Sequence, residues 1–141
     1  MSTSPTPLRV APELVVRETV GVRPHRARGF RIEVERMGET RVVHHYGHGG
    51  GGFSLSWGTG EMAVALLDDL DAAPERTPVA VLGAGSVGLA TARLLQERGH
   101  RVEILNDDPI DATTSAVAVA SWYPVGVFAG APLNEARGRV F

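Results

Sequence analysis

The sequence predicts an α/β fold, in which a βαβ unit is preceded by a β-hairpin, a glycine loop and a helix. Apolar side chains first alternate with polar ones and then recur at helical spacing, which indicates strands followed by a helix. Glycine supports this order, because ten of the 17 glycines lie in two short stretches, 47–60 and 83–88. Such clusters indicate backbone that is brought close to another group.

The bulk composition is that of a single soluble domain. A chain of 141 residues, 43% of them hydrophobic, buries enough surface for one core but not for two. The 14 basic and 16 acidic residues leave no positive field for nucleic acid, so no nucleic-acid partner is expected. No apolar run approaches the roughly 20 residues that span a membrane. The absence of cysteine excludes disulfides and, with the lack of a signal-peptide pattern, leads us to expect a cytoplasmic protein.

The first block of the chain is predicted to be residues 14–72, after a loose lead-in at 1–13. Phe30, Ile32 and Val34 alternate with charged side chains, as in a half-buried strand. A turn at Gly38 and a returning strand over 41–46 complete a hairpin. The glycine run follows directly, and apolar spacing predicts a helix over 54–72, with Trp57 buried as a packing residue.

The second block is predicted to be residues 79–141, after a proline-containing linker at 73–78. Residues 79–82 form a short apolar run with β-branched side chains, typical of a buried parallel strand. A helix is expected over 86–98 with Gly99 as its C-terminal cap, and a second strand over 102–105. Strand, glycine turn, helix and strand within about 30 residues make a βαβ unit with a right-handed crossover.

The glycine turn of this unit reads Gly83-Ala84-Gly85-Ser86-Val87-Gly88. In a GxGxxG turn, the first glycine allows the tight turn, the second lets a pyrophosphate approach, and the third lets the helix pack on the strand. The N–H groups at the helix start, together with Ser86 and Val87, then bind the phosphates. Asp107, just past the second strand, is the expected ligand of the ribose hydroxyls. A turn without a ligand is the alternative, and the motif alone does not separate FAD from NAD.

Histidines near the glycine run suggest a metal site only superficially. His44 and His45 are neighbours in a strand and therefore point to opposite faces. We accordingly expect no metal site. The sequence also lacks the G-x-S-x-G motif that would indicate a hydrolase. No side chain is nominated as a catalytic acid or base.

Two separate segments resemble the FAD-dependent D-amino-acid oxidase family. The stretch from Tyr46 to Gly58, YGHGGGGFSLSWG, is similar to that family's flavin-binding signature, and Gly21-Val22-Arg23-Pro24-His25-Arg26 is similar to its arginine segment. The βαβ unit and the run from Asp111 to Ser115, DATTS, followed by Trp122 and Pro124, resemble its N-terminal FAD-binding region. The resemblance implies a Rossmann-like FAD-binding βαβ unit and covers roughly residues 14–124.

The order of the two segments is reversed relative to the family. There the arginine and glycine-run block lies at the C-terminus, whereas here it precedes the GxGxxG block. This order resembles a circular permutation, which is feasible where native termini lie close together. The family's middle portion, which carries most of the substrate domain, has no counterpart in the sequence. A partner chain that supplies this domain is therefore one expectation.

The resemblance implies a role for each matching residue. The cofactor is expected to be FAD, and the substrate an amino acid. Its carboxylate would pair with Arg23, whose guanidinium binds both oxygens, and Gly50 would line the same site. The expected FAD-binding residues are Gly49, Gly52, Phe53, Ser54, Gly83, Gly85, Ser86, Val87, Gly88, Asp107, Thr113, Thr114 and Ser115.

The implied reaction is oxidative deamination. The α-hydrogen leaves as hydride to the flavin, oxygen reoxidises the flavin to give peroxide, and the imine hydrolyses. Ala120 departs from the family if it replaces the glycine that lies near the flavin, because its methyl group would crowd the ring or shift the chain. The alternative function is a catalytically inactive FAD- or nucleotide-binding fragment that needs a partner chain.

Overall fold

A computed structural model describes residues 9–68, 77–120 and 122. These contain two short sheets, two α-helices and two short 3₁₀-helices, which is a mixed α/β composition. In chain order the elements are a 3₁₀-helix at Pro12–Leu14, β1 (Arg31–Met37), β2 (Thr40–Tyr46), α1 (Gly52–Asp68), β3 (Val79–Leu82), α2 (Ser86–Glu97), β4 (Val102–Leu105) and a 3₁₀-helix at Ile110–Ala112. The predicted linker at 73–78 and the lead-in at 1–13 lie partly outside the described residues, and residues 123–141 lie wholly outside them.

The predicted hairpin is present. Strands β1 and β2 pair antiparallel, with Val34 opposite Val43 and Met37 opposite Thr40. Gly38 adopts φ +62° in the turn, a conformation that favours glycine. On the outer side of the hairpin, the pKa of the Glu35 carboxyl is lowered by a hydrogen bond from His44 and then by one from Arg31.

The βαβ unit has the predicted strand bounds. Strands β3 and β4 pair in parallel, with Val79 opposite Val102 and Leu82 opposite Leu105, and α2 connects them. Gly99 follows α2 with φ +86°, and its N–H donates to the carbonyl of Gln96 at 2.9 Å, so it ends the helix as expected.

Helix α1 begins two residues earlier than predicted. The Leu55 N–H donates to the carbonyl of Gly51 at 3.0 Å, so the helical bonding starts inside the glycine run. The prediction of 54–72 rested on apolar spacing, which carries no information where the first turn consists of glycine and phenylalanine. The described helix extends to Asp68, and its predicted last residues lie outside the described part of the chain.

The core lies between α1 and α2. Val64 of α1 packs with Leu94 and Leu95 of α2, and apolar residues of β3 and β4 pack against this cluster. At the rim, Arg98 forms ion pairs with Glu61 and Asp68 and so joins the C-terminal end of α2 to α1. The block before the linker and the block after it therefore share one core.

One face of the parallel sheet is not covered by the described residues. Leu82 is 79% exposed and Leu105 is 48% exposed, although parallel sheets are normally buried on both faces. Trp57, expected to be buried, is 54% exposed, because the inner face of α1 is taken by smaller residues such as Ser56 and Thr59. No helix in the described residues is both long and apolar enough to cross a membrane.

Candidate functional site

The glycine turn after β3 has the geometry that its sequence predicts. Gly83 adopts φ +107°, and its N–H donates to the carbonyl of Leu105 at 2.8 Å, which continues the pairing of the two strands. A Cβ on Gly88 would lie 2.0 Å from the Gly83 carbonyl oxygen. Only glycine fits at position 88, because the helix there touches the backbone of the turn.

The first N–H of α2 is held by a hydroxyl group from a distant segment. The Ser86 N–H donates to Oγ of Ser115 at 2.9 Å, and this hydroxyl lies 3.3 Å from Oγ of Ser86. A Cβ on Gly85 would lie 3.1 Å from the same Ser115 oxygen. The structure thus brings three of the predicted residues together at the start of α2.

The glycine run between β2 and α1 is folded against the arginine segment. The Gly49 N–H donates to the carbonyl of Pro24 at 3.1 Å, and Gly49 adopts φ +56°. A Cβ on Gly50 would lie 3.0 Å from Nη1 of Arg23, so the guanidinium lies on the backbone of the run. Arg23 and Gly50, which the sequence assigns to one binding site, are therefore neighbours.

The two glycine segments meet where the two helices begin. A Cβ on Gly52, the first residue of α1, would lie 3.2 Å from Oγ of Ser86, the first residue of α2. Helix N-termini carry partial positive charge and free N–H groups. Oγ of Ser54 is buried beside this junction and has no hydrogen-bond partner among the described residues. The junction therefore attracts an anion and offers an unused hydroxyl.

The other predicted residues lie in the turns after β4 and on α1. The Thr113 hydroxyl donates to the carbonyl of Ile110 at 2.8 Å and closes the second 3₁₀-helix. A Cβ on Gly21 would lie 3.0 Å from Cγ2 of Thr114, so the arginine segment passes along the 113–115 turn. Asp107 is exposed in the turn after β4, and Phe53 is 41% exposed on α1.

Ala120 shows backbone strain. Among the non-glycine residues that the structure describes, Ala120 alone has a positive φ, of +58°. An L-residue with a Cβ adopts this left-handed region at a cost that glycine avoids. Position 120 therefore has a backbone conformation that suits glycine better than alanine.

The buried His48 and the half-buried His45 lie between the hairpin and the two helices. Nδ1 of His45 lies 2.9 Å from Oγ1 of Thr91 on α2, and Nε2 of His48 lies 3.0 Å from Oγ1 of Thr59 on α1. The rings of His45 and His48 are in edge contact, with centroids 5.1 Å apart. Burial lowers the pKa of His48 to about 4, and burial together with the nearby His48 lowers the pKa of His45 to about 4. Both imidazoles are therefore neutral near pH 7.

Sequence reasoning missed several residues that shape the site. The Ala84 N–H in the glycine turn donates to Oδ1 of Asn106 at 2.9 Å, and the signal for this was an amide side chain directly at the end of β4. Gly60 lies inside α1, where glycine normally weakens a helix, yet a Cβ there would lie 2.9 Å from Cδ1 of Leu94. Gly60 instead permits the close contact of the two helices, which helical spacing alone does not show.

Comparison with known proteins connects this site to flavoenzymes. The model of the family described as FAD dependent oxidoreductase matches residues 78–135. A D-amino-acid oxidase from Fusarium vanettenii is 49% identical over 55 residues, which is 38% of this chain and 15% of that protein. Human D-aspartate oxidase is 44% identical over 68 residues, 45% of this chain and 19% of that protein. A D-amino-acid oxidase from Streptomyces coelicolor is 48% identical over 46 residues, 33% and 14% respectively.

These matches support the resemblance to the D-amino-acid oxidase family. The matched range contains the glycine turn, Asp107 and the 113–115 turn, whereas the arginine segment and the glycine run precede it. The prediction of FAD is confirmed at the level of the family, because the family that matches is FAD dependent. The chain spans between about a seventh and a fifth of the length of these relatives. No solved structure matches it.

Proposed function

We propose that this chain is the FAD-binding part of an FAD-dependent oxidoreductase that resembles D-amino-acid oxidase and carries out oxidative deamination of an amino acid. The observation that carries the proposal is the meeting of the two helix N-termini, with Gly52 beside Ser86. One glycine segment suits a pyrophosphate and the other suits a flavin ring, and a single dinucleotide cofactor needs both at one place.

The residues at the junction fit this cofactor. Gly85 places no side chain over the turn, so a phosphate oxygen can approach the backbone there, and Gly88 lets the helix pack on the turn. Ser115 now accepts the Ser86 N–H, in the way a phosphate oxygen would, which shows that this N–H is directed at an acceptor. The buried hydroxyl of Ser54, without a partner in the described residues, is a further donor. The site supplies donors and partial positive charge, which is the chemistry that an anionic dinucleotide requires.

We assign the individual roles accordingly. Asp107 accepts from the ribose hydroxyls, and Ser86, Val87 and Thr113–Ser115 bind the phosphates. The start of α1 at Gly52 and the glycine run, with Gly49, Phe53 and Ser54, face the ring. The partial positive charge at the N-terminus of α1 would stabilise negative charge on the nearest edge of the ring. When bound, FAD accepts the hydride of the substrate and delivers the electrons to oxygen.

Arg23 is the proposed substrate-binding residue. Its guanidinium lies on Gly50, at the end of the glycine run that leads into α1. A fork of N–H donors there pairs with a carboxylate through two hydrogen bonds and fixes the orientation of the substrate's α-carbon. The proposed substrates are D-amino acids, including acidic ones, because the named relatives are D-amino-acid and D-aspartate oxidases.

We also propose that the order of the two blocks is circularly permuted relative to the family. The contact of Gly52 with Ser86 supports this, since it joins residues on either side of the linker in one site. The second candidate function is an FAD-binding fragment that needs a partner chain. The exposed sheet face at Leu82 and Leu105 favours it, because a complementary chain would cover these side chains.

Titration of the purified chain with FAD tests the proposal. We expect the absorption bands of oxidised flavin to remain with the protein after gel filtration, and we expect Gly52→Val to abolish this by filling the gap beside Ser86. Ala65→Val, at an exposed position on the same helix, is the control and should retain FAD. Failure of the wild-type chain to bind FAD would refute the proposal.

Peroxide production distinguishes the two candidates. With D-alanine or D-aspartate as substrate, the oxidase should release peroxide, whereas the fragment should bind FAD and remain inactive until a partner chain is added. In the oxidase, Arg23→Ala should raise KM strongly by removing the carboxylate fork. Arg28→Ala, an exposed arginine in the same segment, should not. An Arg23→Ala variant with unchanged KM would show that the carboxylate is bound elsewhere.

A further inference from the structure

Asn106 connects the glycine turn to the segment that carries Asp107. It follows β4 directly, and its Oδ1 accepts the N–H of Ala84 at 2.9 Å across 22 residues of sequence. One residue earlier in each strand, the Gly83 N–H donates to the backbone carbonyl of Leu105. The Asn106 side chain therefore adds one bond to the β3–β4 pairing, beyond the point where the backbone pairing ends.

The other end of the same amide fixes the turn after β4. Nδ2 of Asn106 donates to the backbone carbonyl of Asp108, so the turn closes around Asp107. An amide side chain has both an acceptor and donors, whereas a carboxylate only accepts. Asparagine is thus suited to hold both segments at once without adding charge next to a phosphate site.

The bond to Ala84 matters because Ala84 is buried, with 2% of its surface exposed. A buried N–H without a partner is unfavourable, so the peptide plane before Ala84 is held in one orientation by Asn106. Ala84 lies between Gly83 and Gly85, and this plane sets the direction of the turn that leads into α2. The N–H of Ala84 is itself used up, so the phosphate-facing donors are those that follow it.

We infer that Asn106 is a positioning residue, which sets the glycine turn and Asp107 in register for the adenosine diphosphate half of the cofactor. The inference rests on the proposed function, since it concerns the same site. It goes beyond it by placing the recognition of the ribose and of the pyrophosphate under the control of one uncharged side chain that does not itself contact the ligand.

Isothermal titration of the full chain with ADP and with FAD tests this role. Asn106→Ala should weaken the binding of both about tenfold, the typical loss for one or two hydrogen bonds. Asp108→Ala is the matched control, because it keeps the backbone carbonyl that Asn106 uses, and its affinity for ADP should stay within about twofold of the wild type.

A double-mutant cycle separates positioning from general destabilisation. If Asn106 acts by placing Asp107, then Asn106→Ala should lower the affinity for ADP no more than about threefold in an Asp107→Asn background. In the wild-type background the same change should lower it about tenfold. Equal losses in both backgrounds would overturn the inference. Hydrogen exchange checks the fold, since the Ala84 N–H should lose protection while the Gly83 N–H keeps it.

The remaining outcomes separate a failure of the proposed function from a failure of the inference. If Asn106→Ala does not fold, Asn106→Ser replaces it, because its shorter hydroxyl does not span both segments and adds no charge, and the same two comparisons apply. If the wild type binds neither ADP nor FAD, the proposed function fails and the inference with it. If the wild type binds both and the Asn106 variants bind equally well, the inference alone is refuted.

Discussion

Mild acid should destabilise this chain through the imidazoles of the half-buried His45 and the buried His48. Each has its pKa lowered from 6.5 to about 4 in the folded chain, with burial as the main cause. The unfolded chain therefore binds more protons than the folded one between these values, and stability falls as the pH falls. The free energy of unfolding is therefore highest above pH 6.5, and it falls as the pH is lowered from 6.5 towards 4.

The structure shows why the folded chain resists protonation at these rings. His48 is 1% exposed, stacks on the ring of Phe30 and shares a hydrogen bond with Thr59. His45 faces Thr91 and the edge of His48, so a charge on one ring would repel a charge on the other. Among the described residues no carboxylate pairs with either ring, so protonation of these imidazoles gains no compensating ion pair.

The magnitude follows from the two pKa values. Between pH 7 and pH 5, a histidine whose pKa falls from 6.5 to 4 on folding loses about 2 kcal/mol of stability, and the pair loses about 4 kcal/mol. Single domains have a free energy of unfolding of about 5–15 kcal/mol, so this loss is large.

Urea unfolding followed by circular dichroism at pH 7 and pH 5 measures the effect. We expect the double variant His45→Asn with His48→Asn to lose most of the difference between the two pH values, although it is less stable than the wild type at pH 7. His44→Asn is the control, because it keeps both of these imidazoles and should keep the difference. A double variant with the full wild-type loss would refute the assignment of the acid sensitivity to these rings.

Three glycine–alanine exchanges give further predictions, each checked by urea unfolding at pH 7. Ala120→Gly should stabilise the chain by about 1 kcal/mol, because it relieves the strain at φ +58°; a destabilised variant would contradict the strain. Gly88→Ala should destabilise it by about 3 kcal/mol or more and abolish FAD binding, because its Cβ meets the rigid backbone oxygen of Gly83 at 2.0 Å. Gly60→Ala should stay within about 1 kcal/mol of the wild type, since the one atom that its Cβ crowds is the end of the Leu94 side chain and alanine favours the helix. Equal losses of stability in Gly60→Ala and Gly88→Ala would show that it makes no difference whether the added Cβ meets a side chain or the backbone.

The elements were largely predictable from the sequence, because their signals are local. The bounds of β3 and β4 follow from two short, mainly apolar runs, one between Pro78 and Gly83 and the other between Arg101 and Asn106, and the hairpin follows from simple alternation. The start of α1 was missed, since glycine carries no periodic signal. The burial of Trp57 was predicted wrongly, because the choice of helix face depends on α2, which packs against it from a distant part of the sequence.

The steric roles of single glycines in the candidate site could be predicted from the sequence, whereas the contacts between distant segments could not. The roles of Gly83 and Gly88 follow from a motif whose steric demands are the same wherever it folds. The bond from Ser86 to Ser115, the support of His45 by Thr91 and the bond from Ala84 to Asn106 each join segments more than 20 residues apart. Nothing local in the sequence marks such pairs.

The contacts across the linker bear on how the proposed permutation can preserve one site. Gly52 meets Ser86, His45 meets Thr91, and Arg98 pairs with Glu61, so the two blocks are joined at the site, in the middle and at the far end of the helix pair. These contacts depend on the packing of α1 against α2 and not on which block comes first in the chain. Because closing a longer loop costs little additional free energy, a connection between the blocks can be moved without moving the site. The order of the blocks is therefore free to change, whereas Gly52, Ser86 and the helix contact between them are not.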